Sequence, residues 1–124
     1  MTILKCAMAA LMLALLSGVV RAGGDAARGA VKFQECAACH TLEAGVNNVG
    51  PSLHGIIGRK AASDPKFPSY TTALKGSGIT WTEDKIVTFL SGPAKLVPGT
   101  AMPITLKKPE DRENIVAYLA SVKK

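Results

Sequence analysis

Long apolar runs, strand-like alternation and internal repeats are all scarce in this 124-residue sequence. Its longest apolar stretch, Cys6 to Val20, covers about 15 residues, short of the roughly 20 needed to span a bilayer. Strand signals are negligible and no βαβ pattern accompanies the cysteines, which argues against a thioredoxin-like redox domain. Lysine and arginine outnumber the acidic residues 15 to 9. They are scattered and no recognition motif goes with them, so nucleic acid is not the expected partner. Cysteine and histidine are also few, three and two. Past residue 22, the only such residue outside one short cluster is His54, so a closed tetrahedral zinc site cannot be filled.

That cluster, Cys36-Ala37-Ala38-Cys39-His40, carries the chemistry. Two thiols three positions apart with histidine directly after them are the attachment signature of c-type haem. Thioether bonds from Cys36 and Cys39 fix the porphyrin on one face of a short helical turn, and His40 then lies under the iron as an axial ligand. A plain disulfide between the two cysteines is the rival reading, but it leaves His40 unexplained.

Bacterial c-type attachment takes place outside the cytoplasm, so an export signal is expected. Met1 to Lys5 is a short basic start, Cys6 to Val20 is the apolar segment, and Val20-Arg21-Ala22 presents small residues for cleavage. The expected organisation is a signal peptide over 1–22, cleaved after Ala22, followed by one domain over 23–124 in the periplasm. An uncleaved anchor is the alternative. Loss of Lys5 and Arg21 lowers the net charge from +6 to +4, a mild basic balance that points to an acidic protein partner. About 102 residues form a marginal apolar core. The haem is expected to supply much of the interior, and the apo protein to fold poorly.

The domain reads as a helical wrapper. Asp25 caps a first helix that delivers the Cys-His turn, with Val31 and Phe33 among its apolar residues. Thr82, Glu83 and Asp84 open a second, with Ile86, Val87, Phe89 and Leu90 on its apolar side and Gly92-Pro93 stopping it. Pro109, Glu110 and Asp111 open the last, which carries Ile115, Val116, Leu119 and Val122 and runs toward Lys123 and Lys124. Between them, Asn47-Asn48, Gly50-Pro51, Asp64-Pro65, Phe67-Pro68 and Gly76-Ser77-Gly78 are loop chemistry, broken by a short helix around Tyr70 to Lys75.

Elimination narrows the second iron ligand. Met1, Met8 and Met12 leave with the leader, so Met102 is the remaining thioether and His54 the remaining imidazole. Met102 sits in the loop Val97-Pro98-Gly99-Thr100-Ala101-Met102-Pro103, which can present a side chain free of helical constraint. His54 follows His40 by only 14 positions and would have to cross to the opposite haem face. Met102 is the better candidate.

Together these residues resemble a class I cytochrome c of the mitochondrial and soluble bacterial type. The landmarks are Gly29 and Phe33, the Cys36 to His40 motif, Gly50-Pro51-Ser52-Leu53 and Gly58-Arg59-Lys60. They continue through Tyr70-Thr71, Gly78-Ile79-Thr80-Trp81, Val97 to Met102 and Ala117-Tyr118-Leu119. The resemblance implies an all-α class I fold in which Gly29 and Phe33 meet Tyr118 and Leu119 where the terminal helices cross. It implies His40 and Met102 as ligands and the Pro51 carbonyl as acceptor for the His40 ring. Arg59, Tyr70, Trp81 and Thr100 would meet the haem propionates. For Tyr70 and Trp81, simple core packing is the other reading.

The sequence departs from its relatives at Phe89, where many have a tyrosine that bonds the ligand sulfur, and at Leu74, often an asparagine that holds a water. A drier distal side and a shifted potential are expected. Glu35, Ala94 and Ala101 stand where mitochondrial relatives carry lysine, although Lys32, Lys95 and Lys107 remain. The implied function is one-electron transfer by a monomeric haem carrier, not enzyme catalysis. Partners would be redox proteins such as a terminal oxidase, a quinol:cytochrome c reductase, a dehydrogenase or a reaction centre. A dedicated haem subunit of a larger dehydrogenase or oxidase is the alternative, and a haem peroxidase or gas sensor a more distant one.

Overall fold

The computed structural model describes residues 23–122, so the expected leader and its expected cleavage site, together with Lys123 and Lys124, lie outside the described residues. Five α-helices run in the order α1 (Ala26–Lys32), α2 (Thr72–Lys75), α3 (Glu83–Ser91), α4 (Pro93–Leu96) and α5 (Pro109–Ser121), and a 3-10 turn, Phe33–Glu35, extends α1. The expected all-α architecture is observed. Among the described residues the extended pairing is a single antiparallel bridge between Lys60 and Thr80.

Helix starts follow the side chains that satisfy the first free N–H groups. Asp25 accepts from the amides of Ala27 and Arg28, Thr71 from Leu74 and Thr82 from Lys85. Two expectations shift. Tyr70 precedes α2 rather than joining it, because Thr71 is the cap. Gly92 does end α3, but Pro93 at once opens the one-turn α4, since proline's fixed φ suits a first helical position.

The terminal helices α1 and α5 cross in intimate contact. A methyl group on Gly29 would lie 1.9 Å from the Asn114 carbonyl oxygen and 2.8 Å from Cβ of Tyr118. Phe33 then meets Tyr118 edge-on at 5.5 Å, as the resemblance implied. Arg28 bridges to Glu110 and Lys32 to Asp111 across the crossing. Val31, one of the few apolar residues of α1, faces solvent and is 70% exposed, because Gly29 and Phe33 set the buried side of α1. Val122 caps α5 from outside the helix.

Asn114 was missed in the sequence, where it breaks the apolar stripe. It is buried, and its Oδ1 accepts the backbone N–H of Asp25 at 2.7 Å, tying the start of α1 to the middle of α5. Asn114→Ala leaves that N–H unpaired and is expected to cost about 1–3 kcal/mol, read as a lowered denaturation midpoint.

Candidate functional site

The Cys-His segment is one tight turn. The Cys36 carbonyl accepts from the amides of Cys39 at 3.1 Å and His40 at 2.9 Å, which coils the chain so that all three side chains reach one cavity. Cys36 and Cys39 form no disulfide with each other. Before its sulfur is attached, burial first and the Glu35 carboxylate second would push the Cys36 thiol above its ordinary value.

The cavity measures about 280 Å³. Besides Cys36, Cys39 and His40, its wall includes Pro51, Arg59, Tyr70, Trp81, Thr100 and Met102, so every site residue anticipated from the sequence reaches one space. His54 does not. It lines a separate surface depression with Arg59 and Asp64, its Nδ1 3.1 Å from the Leu42 carbonyl. Of the two ligand candidates, only Met102 shares a cavity with His40.

His40 is held from one side. Its Nδ1 lies 2.7 Å from the Pro51 carbonyl, which makes Nδ1 the donor and leaves Nε2 with its lone pair. Burial holds the ring below its usual value against the opposing pull of that carbonyl, so the imidazole is neutral at pH 7. Gly50 has no room for a side chain, since a Cβ there would sit 2.4 Å from His40 Cε1. Across the cavity, the Thr100 amide donates to the Val97 carbonyl at 3.0 Å and Gly99 takes φ 92°, a turn that calls for glycine at that position. The Thr100 hydroxyl accepts the Met102 amide at 3.3 Å.

These residues fit a haem. Ten of the thirteen buried apolar side chains also line the cavity, so the core is the wall of that space rather than a self-filled interior. Arg59 donates through Nη1 to the His54 carbonyl and through Nη2 to the Ser52 carbonyl, while its buried Nε has no partner. A buried unpaired donor on a cation is costly, and an acidic substituent would satisfy it. Trp81 and Phe89 stack edge to face at 5.0 Å, and Leu74 and Phe89 line the wall together with Met102. Sequence reading missed Ile56, Phe67 and Lys60 in this wall. Their loop positions show no periodicity from which to pick them. Lys32 is paired with Glu35 and Asp111.

Asp64 closes the outer side. Its carboxylate accepts the Lys66 amide at 2.8 Å and the Asn47 side-chain amide at 3.1 Å. Mainly through the Lys66 bond, this holds its carboxyl below the usual range. A depressed value means stability that is present above the unfolded-state pKa and lost as pH falls through the folded one. Asp64→Asn is therefore expected to lower the denaturation midpoint at pH 7, with the gap to the parent closing as pH drops below about 4.

A family model described as "Cytochrome c" matches residues 26–123. The chain is 45% identical over 101 residues to cytochrome c2 of Agrobacterium tumefaciens (strain II Chrys), covering 77% of this chain and 90% of that protein. It is 48% identical over 99 residues to cytochrome c of Arabidopsis thaliana, covering 77% and 88%. Among solved structures, cytochrome cH from Methylobacterium extorquens superposes with a TM-score of 0.74 at 40% identity, over 79% of this chain and 99% of that one. No helix among the described residues is long and apolar enough to cross a membrane. The helical fold, the Cys-His turn opening into an apolar cavity and these matches together place the chain in the cytochrome c family, as a class I monohaem electron carrier with covalently attached haem c.

Proposed function

We propose that this protein is a periplasmic one-electron carrier whose haem is joined through Cys36 and Cys39 and ligated by His40 and Met102. When bound, the haem supplies one iron that exchanges an electron between ferric and ferrous states. The observation that carries the reading is the shared cavity of His40 and Met102 and the exclusion of His54 from it. Pro51 orients the His40 ring and raises its basicity. The Val97–Thr100 turn presents Met102 without helical constraint. Arg59, Tyr70, Trp81 and Thr100 would meet the propionates, with the unpaired Arg59 Nε the most direct support. The apolar wall excludes water and disfavours the more highly charged ferric form, as a methionine ligand also does.

Export follows from the basic, apolar and small-residue succession over residues 1–22, which lies outside the described residues. Mild positive charge favours encounter with an acidic redox partner, a rate advantage that fades as salt rises. An oxidase, a quinol:cytochrome c reductase, a dehydrogenase or a reaction centre would each suit that chemistry.

The test is the absorption spectrum of protein matured in a periplasm with c-type haem attachment. A low-spin spectrum with the weak far-red sulfur-to-iron band, unchanged by carbon monoxide, is expected. A high-spin iron that binds carbon monoxide would overturn the ligand assignment. Recovery from the periplasmic fraction with Gly23 as N-terminal residue checks the export reading.

A further inference from the structure

Asn47 has no role in the reading above, yet it occupies a junction. The peptide unit between Pro51 and Ser52 offers its carbonyl to His40 Nδ1 at 2.7 Å. Its other end, the Ser52 N–H, donates to Asn47 Oδ1 at 2.8 Å. The Asn47 amide nitrogen in turn donates to Asp64 Oδ2 at 3.1 Å. A continuous series thus runs from a carboxylate through a side-chain amide and a backbone amide to the imidazole. Ser52 is 2% exposed, so its end of the series is shielded from water, where hydrogen bonds polarise one another most strongly.

The direction of polarisation follows from elementary chemistry. A negative carboxylate draws the Asn47 N–H and leaves the Asn47 carbonyl oxygen richer in electron density. That oxygen pulls harder on the Ser52 N–H, and the shared peptide resonance makes the Pro51 carbonyl a better acceptor. A better acceptor on Nδ1–H makes the imidazole a stronger donor through Nε2.

We propose that Asn47 is a positioning residue for His40, which fixes and polarises the Pro51–Ser52 peptide under the charge of Asp64 and so favours the ferric state. This rests on His40 being an iron ligand, as proposed above. It adds a term specific to this pair of loops. The side chain works only where it stands, because one amide group must face both Asp64 and the Ser52 N–H.

The experiment is a double-mutant cycle on the reduction potential of the haem-loaded protein at pH 7, with Asn47→Ala, Asp64→Asn and the pair. Asn47→Ala changes no charge and is expected to shift the ferric–ferrous balance about threefold toward ferrous, a fraction of the worth of one hydrogen bond. Asp64→Asn should shift it the same way. The Asp64→Asn effect should shrink by half or more in the Asn47→Ala background. The His40 Nδ1 proton resonance should move in step with the potential, a response that loosened packing alone does not produce. Equal Asp64→Asn effects in the two backgrounds, which is through-space charge alone, or an unmoved potential in Asn47→Ala, would overturn the relay. Should Asn47→Ala fail to fold, Asn47→Ser at the same site and the nearly isosteric Asp64→Asn with the proton resonance decide the question. Failure of the ligand assignment is separate, since a low-spin spectrum surviving in His40→Ala would report it.

Discussion

Met102→Ala is expected to convert a carbon monoxide-indifferent, low-spin protein into one that binds carbon monoxide readily and loses the far-red sulfur band. The reduction potential should fall at the same time. Met102 is the thioether in the cavity wall, and His54, the other imidazole among the described residues, faces a different surface with its ring nitrogen beside the Leu42 carbonyl. Axial ligand identity spans roughly 0.8 V across haem proteins, so a fall on the order of 0.2 V is expected. His54→Ala is the control and should leave spectrum and potential nearly unchanged. Equal effects from the two substitutions would overturn the assignment. Visible absorption, carbon monoxide titration and voltammetry read both outcomes.

The second large effect is structural. Gly29→Val is expected to abolish or severely weaken folding, because its first added carbon already overlaps the Asn114 carbonyl at 1.9 Å. Backbone stands on both sides, and neither helix can yield without breaking the contact of Phe33 with Tyr118 and the ion pairs to Glu110 and Asp111. Even Gly29→Ala should cost about 3 kcal/mol, the upper part of the range for overpacking. Gly58→Ala makes a useful contrast. Gly58 has φ 86° but open space around its Cβ, so it should pay only the left-handed backbone penalty of about 1 kcal/mol. Denaturant unfolding of the haem-loaded proteins, followed by far-ultraviolet circular dichroism, distinguishes the two. A mild effect at Gly29 would mean that the terminal helices can separate without loss of the fold.

The core explains why haem loss should be almost as damaging. The buried side chains that would fill the centre of a larger domain here form a wall, Phe33, Trp81 and Leu119 among them. Without the group they surround, dispersion contacts are missing along the whole inner surface.

What the sequence determined by itself is what neighbouring residues decide among themselves. Cys36 to His40 named the cofactor because the attachment chemistry needs only five consecutive positions. Asp25, Thr82 and Pro109 marked helix starts because caps act within one turn. Pro98-Gly99 announced the turn that presents Met102. The tertiary structure alone decided matters that join distant segments. It set His54 against the Leu42 carbonyl and outside the cavity, and gave the buried Asn114 a partner 89 positions away. It placed Val31 in solvent, because the close approach at Gly29 and Phe33 fixes which side of α1 meets α5. It also brought Asn47 between Asp64 and Ser52. In sequence those three are ordinary loop residues, since a loop carries no period from which to read the direction of a side chain. Their alignment depends on two loops packing around the same cavity, which is a property of the folded whole.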